Sequence, residues 1–157
     1  DREGVPMRDY QTATGVLIAT GKADLRRTVV SPRYYLADAA FLVGLEGEDK
    51  GLLTRIHAAL RSPVWPLALG RKSFVPGMPV WLVDGLCPLP LERALASYPR
   101  LVSPQWADRE QPLRCLLEDE QDGAIRLDQP VAPFAERRFG PRFVKSGVLY
   151  APDQTDA

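Results

Sequence analysis

Thr12-Ala13-Thr14-Gly15-Val16-Leu17-Ile18, then Thr20-Gly21-Lys22, then Thr28-Val29-Val30 is the stretch that sets the architecture. β-Branched and apolar residues lie on either side of a polar, glycine-containing excursion, the composition of two extended segments joined by a turn-rich tip. Residues 5–30 are therefore expected to form one long hairpin. Immediately beyond it, residues 34–45 (Tyr-Tyr-Leu-Ala-Asp-Ala-Ala-Phe-Leu-Val-Gly-Leu) combine aromatic and apolar residues and are expected to supply a central strand.

Further out, Leu52, Leu53, Ile56, Ala59 and Leu60 recur at the spacing of one helical face, which predicts a helix over residues 49–60 that stops before Ser62-Pro63. Residues 64–74 read as a loop carrying Arg71 and Lys72, and Val80-Trp81-Leu82-Val83 as an apolar strand. A short helix is expected over residues 90–98, with Pro90 in its first turn. Residues 114–118 and 124–127 predict a hairpin around Asp122-Gly123, and residues 143–150 a last strand. Fifteen prolines and twelve glycines agree with short elements and many turns, not a long helical bundle.

Composition narrows the function classes. With 157 residues, 45% of them hydrophobic and 25% charged, the chain is expected to be one globular domain spanning residues 1–157. No apolar run approaches the roughly 20 residues of a membrane helix and no signal-peptide pattern opens the chain, so the expectation is a cytoplasmic protein without membrane contact. Cys87 and Cys115 are too few for a disulfide scaffold or a thiolate zinc site. No cofactor fingerprint, phosphate-binding Walker loop or nucleophile elbow occurs. His57 is the only histidine, which excludes a multi-histidine metal site, and its place beside Leu53 and Ile56 predicts an ordinary half-buried side chain.

Twenty Lys and Arg balance twenty Asp and Glu, so any polyanion site must be a local patch. Residues 8–35 carry Arg8, Lys22, Arg26, Arg27 and Arg33 against Asp9 and Asp24, and residues 137–145 carry Arg137, Arg138, Arg142 and Lys145 with no acid. The acidic run Glu118-Asp119-Glu120-Gln121-Asp122 is expected to lie on the opposite side from that basic face. Arg8, Tyr10 and Thr12, and Arg33 with Tyr34, interleave cations, aromatic rings and hydroxyls as a single-stranded RNA groove does. Gly70-Arg71-Lys72-Ser73 offers backbone amides, two cations and a hydroxyl to a phosphate.

Met7-Arg8-Asp9-Tyr10-Gln11-Thr12, Pro32-Arg33-Tyr34-Tyr35-Leu36-Ala37-Asp38-Ala39-Ala40-Phe41 and Pro66-Leu67-Ala68-Leu69-Gly70-Arg71-Lys72-Ser73, in this order and spacing, resemble the CasD family. That family is the subunit of the subtype I-E CRISPR surveillance complex Cascade that holds the five-prime handle of the guide RNA. Phe134-Ala135-Glu136-Arg137-Arg138-Phe139 with Val144-Lys145-Ser146-Gly147 resembles the family's closing strand. The resemblance implies an α+β, ferredoxin-like core of the RNA-recognition type (RAMP superfamily), with a protruding β-hairpin thumb at about residues 12–30. It implies a non-catalytic, RNA-binding subunit, without cofactor or metal, that caps the crRNA handle. Its implied partners are the CasC backbone and the large CasA subunit, with target DNA met only indirectly.

Implied handle contacts are Arg8, Tyr10 and Thr12, Arg33 and Tyr34, and Gly70, Arg71, Lys72 and Ser73. Lys22, Arg26, Arg27, Arg137, Arg138 and Lys145 join them on charge. The family's opening strand and the glycine-rich helix after it have no counterpart, so the resemblance leads to the expectation that about the first third of the family's protein, with its first strand and helix, is missing from this chain. Phe74 stands where the family often has Cys, which points to packing at that position. The alternative is a metal-independent endoribonuclease processing the guide precursor, as in subtype I-C relatives, which would recruit Tyr10, Tyr34, Lys72 or His57 as acid or base.

Overall fold

The computed structural model describes residues 1–18, 20–103 and 111–150. Strands β1 (Val5–Thr14) and β2 (Thr28–Ala37) pair antiparallel over ten consecutive residue pairs, from Val5↔Ala37 to Thr14↔Thr28, with no bulge. Near the tip the Thr14 and Thr28 hydroxyls meet at 3.1 Å. Beyond them a Leu17↔Ala23 bridge, the left-handed Gly15 and Gly21, and an Asp24 carboxylate accepting the Arg26 amide at 3.1 Å shape the connection. Pro32 sits within β2 opposite Tyr10, a place open to proline because a two-stranded ribbon consists only of edge strands.

The ribbon begins at Val5, as expected, and its second strand runs on to Ala37, past the expected residue 30. Residues 34–45 do not form a central strand. β2 ends at Ala37 because Asp38 takes a left-handed conformation (φ 56°), which Asp tolerates better than most residues and which turns the chain out of the ladder. Only an isolated Arg2↔Ala40 bridge continues the pairing.

Helix α1 (Lys50–Arg61) starts where the Asp49 carboxylate accepts the Leu52 amide at 2.8 Å and stops at Ser62 before Pro63. Helix α2 (Leu91–Ser97) follows Pro90. Both lie within a residue or two of their expected bounds. Residues 80–83 form no strand: the Leu82 carbonyl is taken by the Gly85 amide at 3.1 Å and by the His57 ring at 2.9 Å, a turn and a side chain in place of a ladder.

The second sheet has the order β3-β5-β4, with β3 (Leu113–Glu118), β4 (Ala124–Pro130) and β5 (Phe139–Leu149). The expected hairpin between residues 114–118 and 124–127 is not there. Both segments pair antiparallel with β5 and therefore run in the same direction, meeting at Val144, whose partners are Glu118 and Ala124. Residues 119–123 fold on themselves instead of reversing the chain: Asp119 accepts the Gln121 and Asp122 amides on its side chain and the Gly123 amide on its carbonyl. β5 begins at Phe139, after a 3-10 turn at Phe134–Glu136, so the first part of the expected closing strand is a turn.

Among the described residues the buried apolar side chains are Ala40, Cys115 and Val144 alone. The accessible surface is 13305 Å², where a compact monomer of 17.4 kDa exposes about 7,900 Å². Strand pairing and local turns hold these elements more than a shared core does. Among the described residues no helix is long and apolar enough to cross a membrane.

A methyl group on Gly123 would stand 2.7 Å from the Phe143 carbonyl carbon and the Val144 nitrogen, both backbone, whereas one on Gly147 meets nothing within 4 Å. Gly123→Ala is expected to destabilise the second sheet by about 2 kcal/mol. Gly147→Ala is expected to be neutral or slightly stabilising. Amide exchange across β5 checks both, and equal protection in the two variants would contradict the packing at Gly123.

Candidate nucleic-acid interface

Side chains in a strand alternate between faces, and directly paired residues share a face. The β1-β2 register therefore sorts the ribbon into two surfaces. One carries Arg8, Tyr10 and Thr12 from β1 with Tyr34, Pro32 and Val30 opposite them. The other carries Met7, Asp9 and Gln11 with Tyr35, Arg33 and Ser31. Four expected RNA contacts, Arg8, Tyr10, Thr12 and Tyr34, are thus gathered on one face, and Arg33 lies on the other.

The first face is open. Tyr34 is 70% and Tyr10 53% exposed, and the Arg8 guanidinium lies 5.1 Å from the centre of the Tyr10 ring. Arg8 and Tyr34 are direct cross-strand partners, so the two rings and the cation form one platform. Exposed rings accept the face of a nucleobase of any identity, and an adjacent guanidinium accepts its phosphate.

The second face is occupied by the loop that carries Gly70, Arg71, Lys72 and Ser73. The Tyr35 and Phe74 rings stack at 3.9 Å with 7° between their planes, a pair worth about 1 kcal/mol beyond its area. Arg71 donates through Nη1 to the Asp9 carboxylate and lies 5.8 Å from the Tyr35 ring centre. The loop closes on itself through Leu69 N–H to Phe74 O at 2.8 Å and Phe74 N–H to Arg71 O at 2.9 Å, with Gly70 left-handed at φ 91°. Lys72 and Ser73 remain exposed. Phe74 is a packing residue, as its departure from the family pattern implies.

Lys22, Arg26 and Arg27 are exposed at the tip. Arg8 and Tyr34 lie six residue pairs from the Thr14↔Thr28 end, about 20 Å at the rise of a strand. The tip cations are therefore a separate group and do not join the platform.

In the second sheet the basic and acidic segments face each other, which corrects the expectation that they lie apart. β5 presents its cations to the acids of β3, β4 and the turn between them. Arg142 bonds Asp128 through Nε at 2.9 Å and Nη2 at 2.7 Å, and Glu118 at 3.2 Å. Lys145 reaches Asp122 at 3.0 Å and Asp119 at 3.5 Å, and Arg138 lies 3.6 Å from Glu136. Arg137 takes a left-handed backbone at φ 52°. The Arg142 hydrogen bond holds the Asp128 carboxyl below its usual range. Asp119 is lowered first by the Asp122 and Gln121 amides and less by Lys145. The Asp122 carboxylate in turn raises Lys145.

His57 is half-buried, as expected. Its Nε2 lies 2.8 Å from the Trp81 indole N–H and 2.9 Å from the Leu82 carbonyl oxygen, and Arg61 covers the Trp81 ring at 5.2 Å. Among the described residues no group of three or more His, Cys, Asp or Glu is placed to hold a metal ion.

The Arg71–Asp9 pair escapes a reading that matches Asp9 with its neighbour Arg8. The signal was present in the alternation itself: adjacent strand residues point to opposite faces, so Asp9 cannot balance Arg8 on the platform and is left for a partner behind it.

A sequence-family model described as CRISPR-associated protein (Cas_Cas5) matches residues 1–145. The chain is 51% identical to a solved structure titled "Crystal structure of Cas protein", with a TM-score of 0.66, covering 75% of this chain and 58% of that one. It is 25% identical to a chain of a structure titled "CRISPR RNA-guided surveillance complex", with a TM-score of 0.63, covering 98% of this chain and 66% of that one. It thus spans less than two thirds of each. No curated protein matches.

A carboxyl whose folded pKa is depressed stabilises the fold above its ordinary pKa and loses that contribution as pH falls through the folded value. For Asp119 and Asp128, ordinarily at 3.8, thermal stability is expected to hold from pH 7 to about 5 and to decline below about 4. Asp128→Asn is expected to flatten that acid limb. Melting followed by circular dichroism across this range checks it, and a flat wild-type profile down to about pH 3 would show that the network contributes nothing.

Proposed function

The chain belongs to the CRISPR-associated Cas5 family, and on that footing we propose that it is the non-catalytic RNA-binding subunit of a type I-E Cascade surveillance complex that caps the five-prime handle of the crRNA. The observation that carries this reading is the Arg8–Tyr10–Tyr34 platform, two exposed rings and a cation on one open ribbon face. In this reading the β1-β2 ribbon is the thumb of a single ferredoxin-like domain of the RNA-recognition type, and the rings stack handle bases while Arg8 and Lys72 hold phosphates. In this reading the tip cations Lys22, Arg26 and Arg27 meet RNA as a second group beyond the platform, and Arg33 from the other face of the ribbon.

The partners in this reading are the crRNA and the CasC and CasA subunits, in the cytoplasm, with target DNA reached through the guide. The ion pairs of Arg138 and Lys145 support a smaller share for them in RNA contact than their charge alone implies. Similarity to a chain of an RNA-guided surveillance complex supports membership in such an assembly.

The test is retention of a labelled handle-bearing guide RNA against a handle-scrambled control, in EDTA, by a protein that carries the chain together with the remaining length its structural relatives possess. Tight, salt-sensitive, handle-dependent binding of intact RNA is expected. Tyr34→Ala and Tyr10→Ala are each expected to weaken binding by about 1–3 kcal/mol with little change in salt slope, and Arg8→Ala to lower the slope by about 0.7. Site-specific cleavage in EDTA would instead establish a metal-independent endoribonuclease.

A further inference from the structure

Within Gly70-Arg71-Lys72-Ser73, Arg71 is the one residue that is not exposed. Its side chain retains 25% of its solvent contact, and its Nη2 is buried with no hydrogen-bond partner. The same guanidinium is committed through Nη1 to Asp9, whose other carboxylate oxygen is held at 2.7 Å by the Tyr10 amide, and it lies against the Tyr35 ring. Arg71 therefore points into the ribbon. Both two-pronged edges of a guanidinium include Nη2, so with that nitrogen buried and Nη1 held by Asp9 the group has no open edge to grip a phosphate.

We propose that Arg71 is a positioning residue: by pinning the loop to Asp9 and Tyr35 it holds Lys72 and Ser73 in place for RNA and makes no phosphate contact itself. The proposal rests on the RNA-binding reading and divides its most basic loop into an anchor and a contact. Asp9, an acid on the ribbon of a protein that binds a polyanion, acquires a role of its own, because it sits behind the platform as the anchor's other half. Tyr35 and Phe74 supply the apolar part of the same attachment.

The experiment measures the dissociation constant of handle-bearing guide RNA at several salt concentrations, on the same full-length protein. The variants are Arg71→Gln, Asp9→Asn, their combination, the charge-exchanged pair Arg71→Asp with Asp9→Arg, and Lys72→Gln. Arg71→Gln and Asp9→Asn are each expected to weaken binding about tenfold, with the combination no worse than either, because the two side chains act as one unit. Neither is expected to change the salt slope, the charge-exchanged pair is expected to recover most of the affinity, and Lys72→Gln is expected to lower the slope by about 0.7.

Asp9→Asn binding as tightly as wild type, while Arg71→Gln loses both affinity and slope, would overturn the proposal and make Arg71 a direct phosphate ligand. Unchanged binding in every variant, Lys72→Gln included, would instead sink the reading that this loop meets RNA. Amide exchange over residues 69–74 in the RNA-free protein covers poorly behaved variants. It is expected to accelerate in Arg71→Gln and to slow again in the charge-exchanged pair, and unchanged exchange would overturn the pin.

Discussion

An unbroken ten-pair register between β1 and β2 is the constraint on which the rest depends. With no bulge to shift the pleat, every side chain from Val5 to Ala37 along the two strands has its face assigned. One residue of slip in β1 would carry Arg8 and Tyr10 to the face opposite Tyr34, bring Asp9 beside Tyr34 and part it from Tyr35, so that neither the platform nor the rear attachment would survive. The loop at residues 69–74 can dock only because the slip does not occur. Its two attachments, Arg71 to Asp9 and Phe74 to Tyr35, both require the rear face. One face is consequently reserved for a ligand and the other for the protein's own chain.

The scarcity of buried side chains gives this division its energetic meaning. A ribbon of two strands is marginal alone in water, and little apolar surface elsewhere is withdrawn from solvent among the described residues. Small attachments therefore carry weight that a large core would otherwise take: a stacked ring pair, a half-exposed ion pair, an Asp cap on α1, and the closed turn at residues 119–123. The chain spans 58% and 66% of the solved chains it resembles.

Local signals were legible and long-range ones were not. Helix α1 announced itself through the period of its leucines and the Asp49 and Ser62-Pro63 boundaries, and α2 through Pro90, because capping and helical periodicity are written in adjacent residues. The ribbon was legible from its start at residue 5, but its second strand was not legible past residue 30, since nothing in the composition of residues 31–37 tells the continuation of one strand from the start of another. Residues 38–45 and 80–83 have strand-like composition and, beyond the isolated Arg2↔Ala40 bridge, no ladder partner among the described residues, and composition does not create an edge to pair with. The hairpin expected around Asp122-Gly123 fails for a related reason: the turn is real, but β5, some 20 residues on, claims both flanking segments. In the site, the front-face residues were readable from cation and aromatic interleaving. The pairing of Arg71 with Asp9 spans 62 positions and became visible only with the fold.

His57 carries a consequence of a different kind. A single nitrogen, Nε2, stands within hydrogen-bond distance of both the Trp81 indole N–H and the Leu82 carbonyl. Carrying a lone pair it accepts from the indole; carrying a hydrogen it donates to the carbonyl, and Nδ1, 3.5 Å from the indole nitrogen, is then the acceptor left for Trp81. The contact between α1 and the segment after the loop is thus a choice between two tautomers of one ring. Because the chain contains no other histidine, that choice has an unambiguous spectroscopic address: the nitrogen chemical shifts of a single imidazole distinguish which ring nitrogen carries the hydrogen.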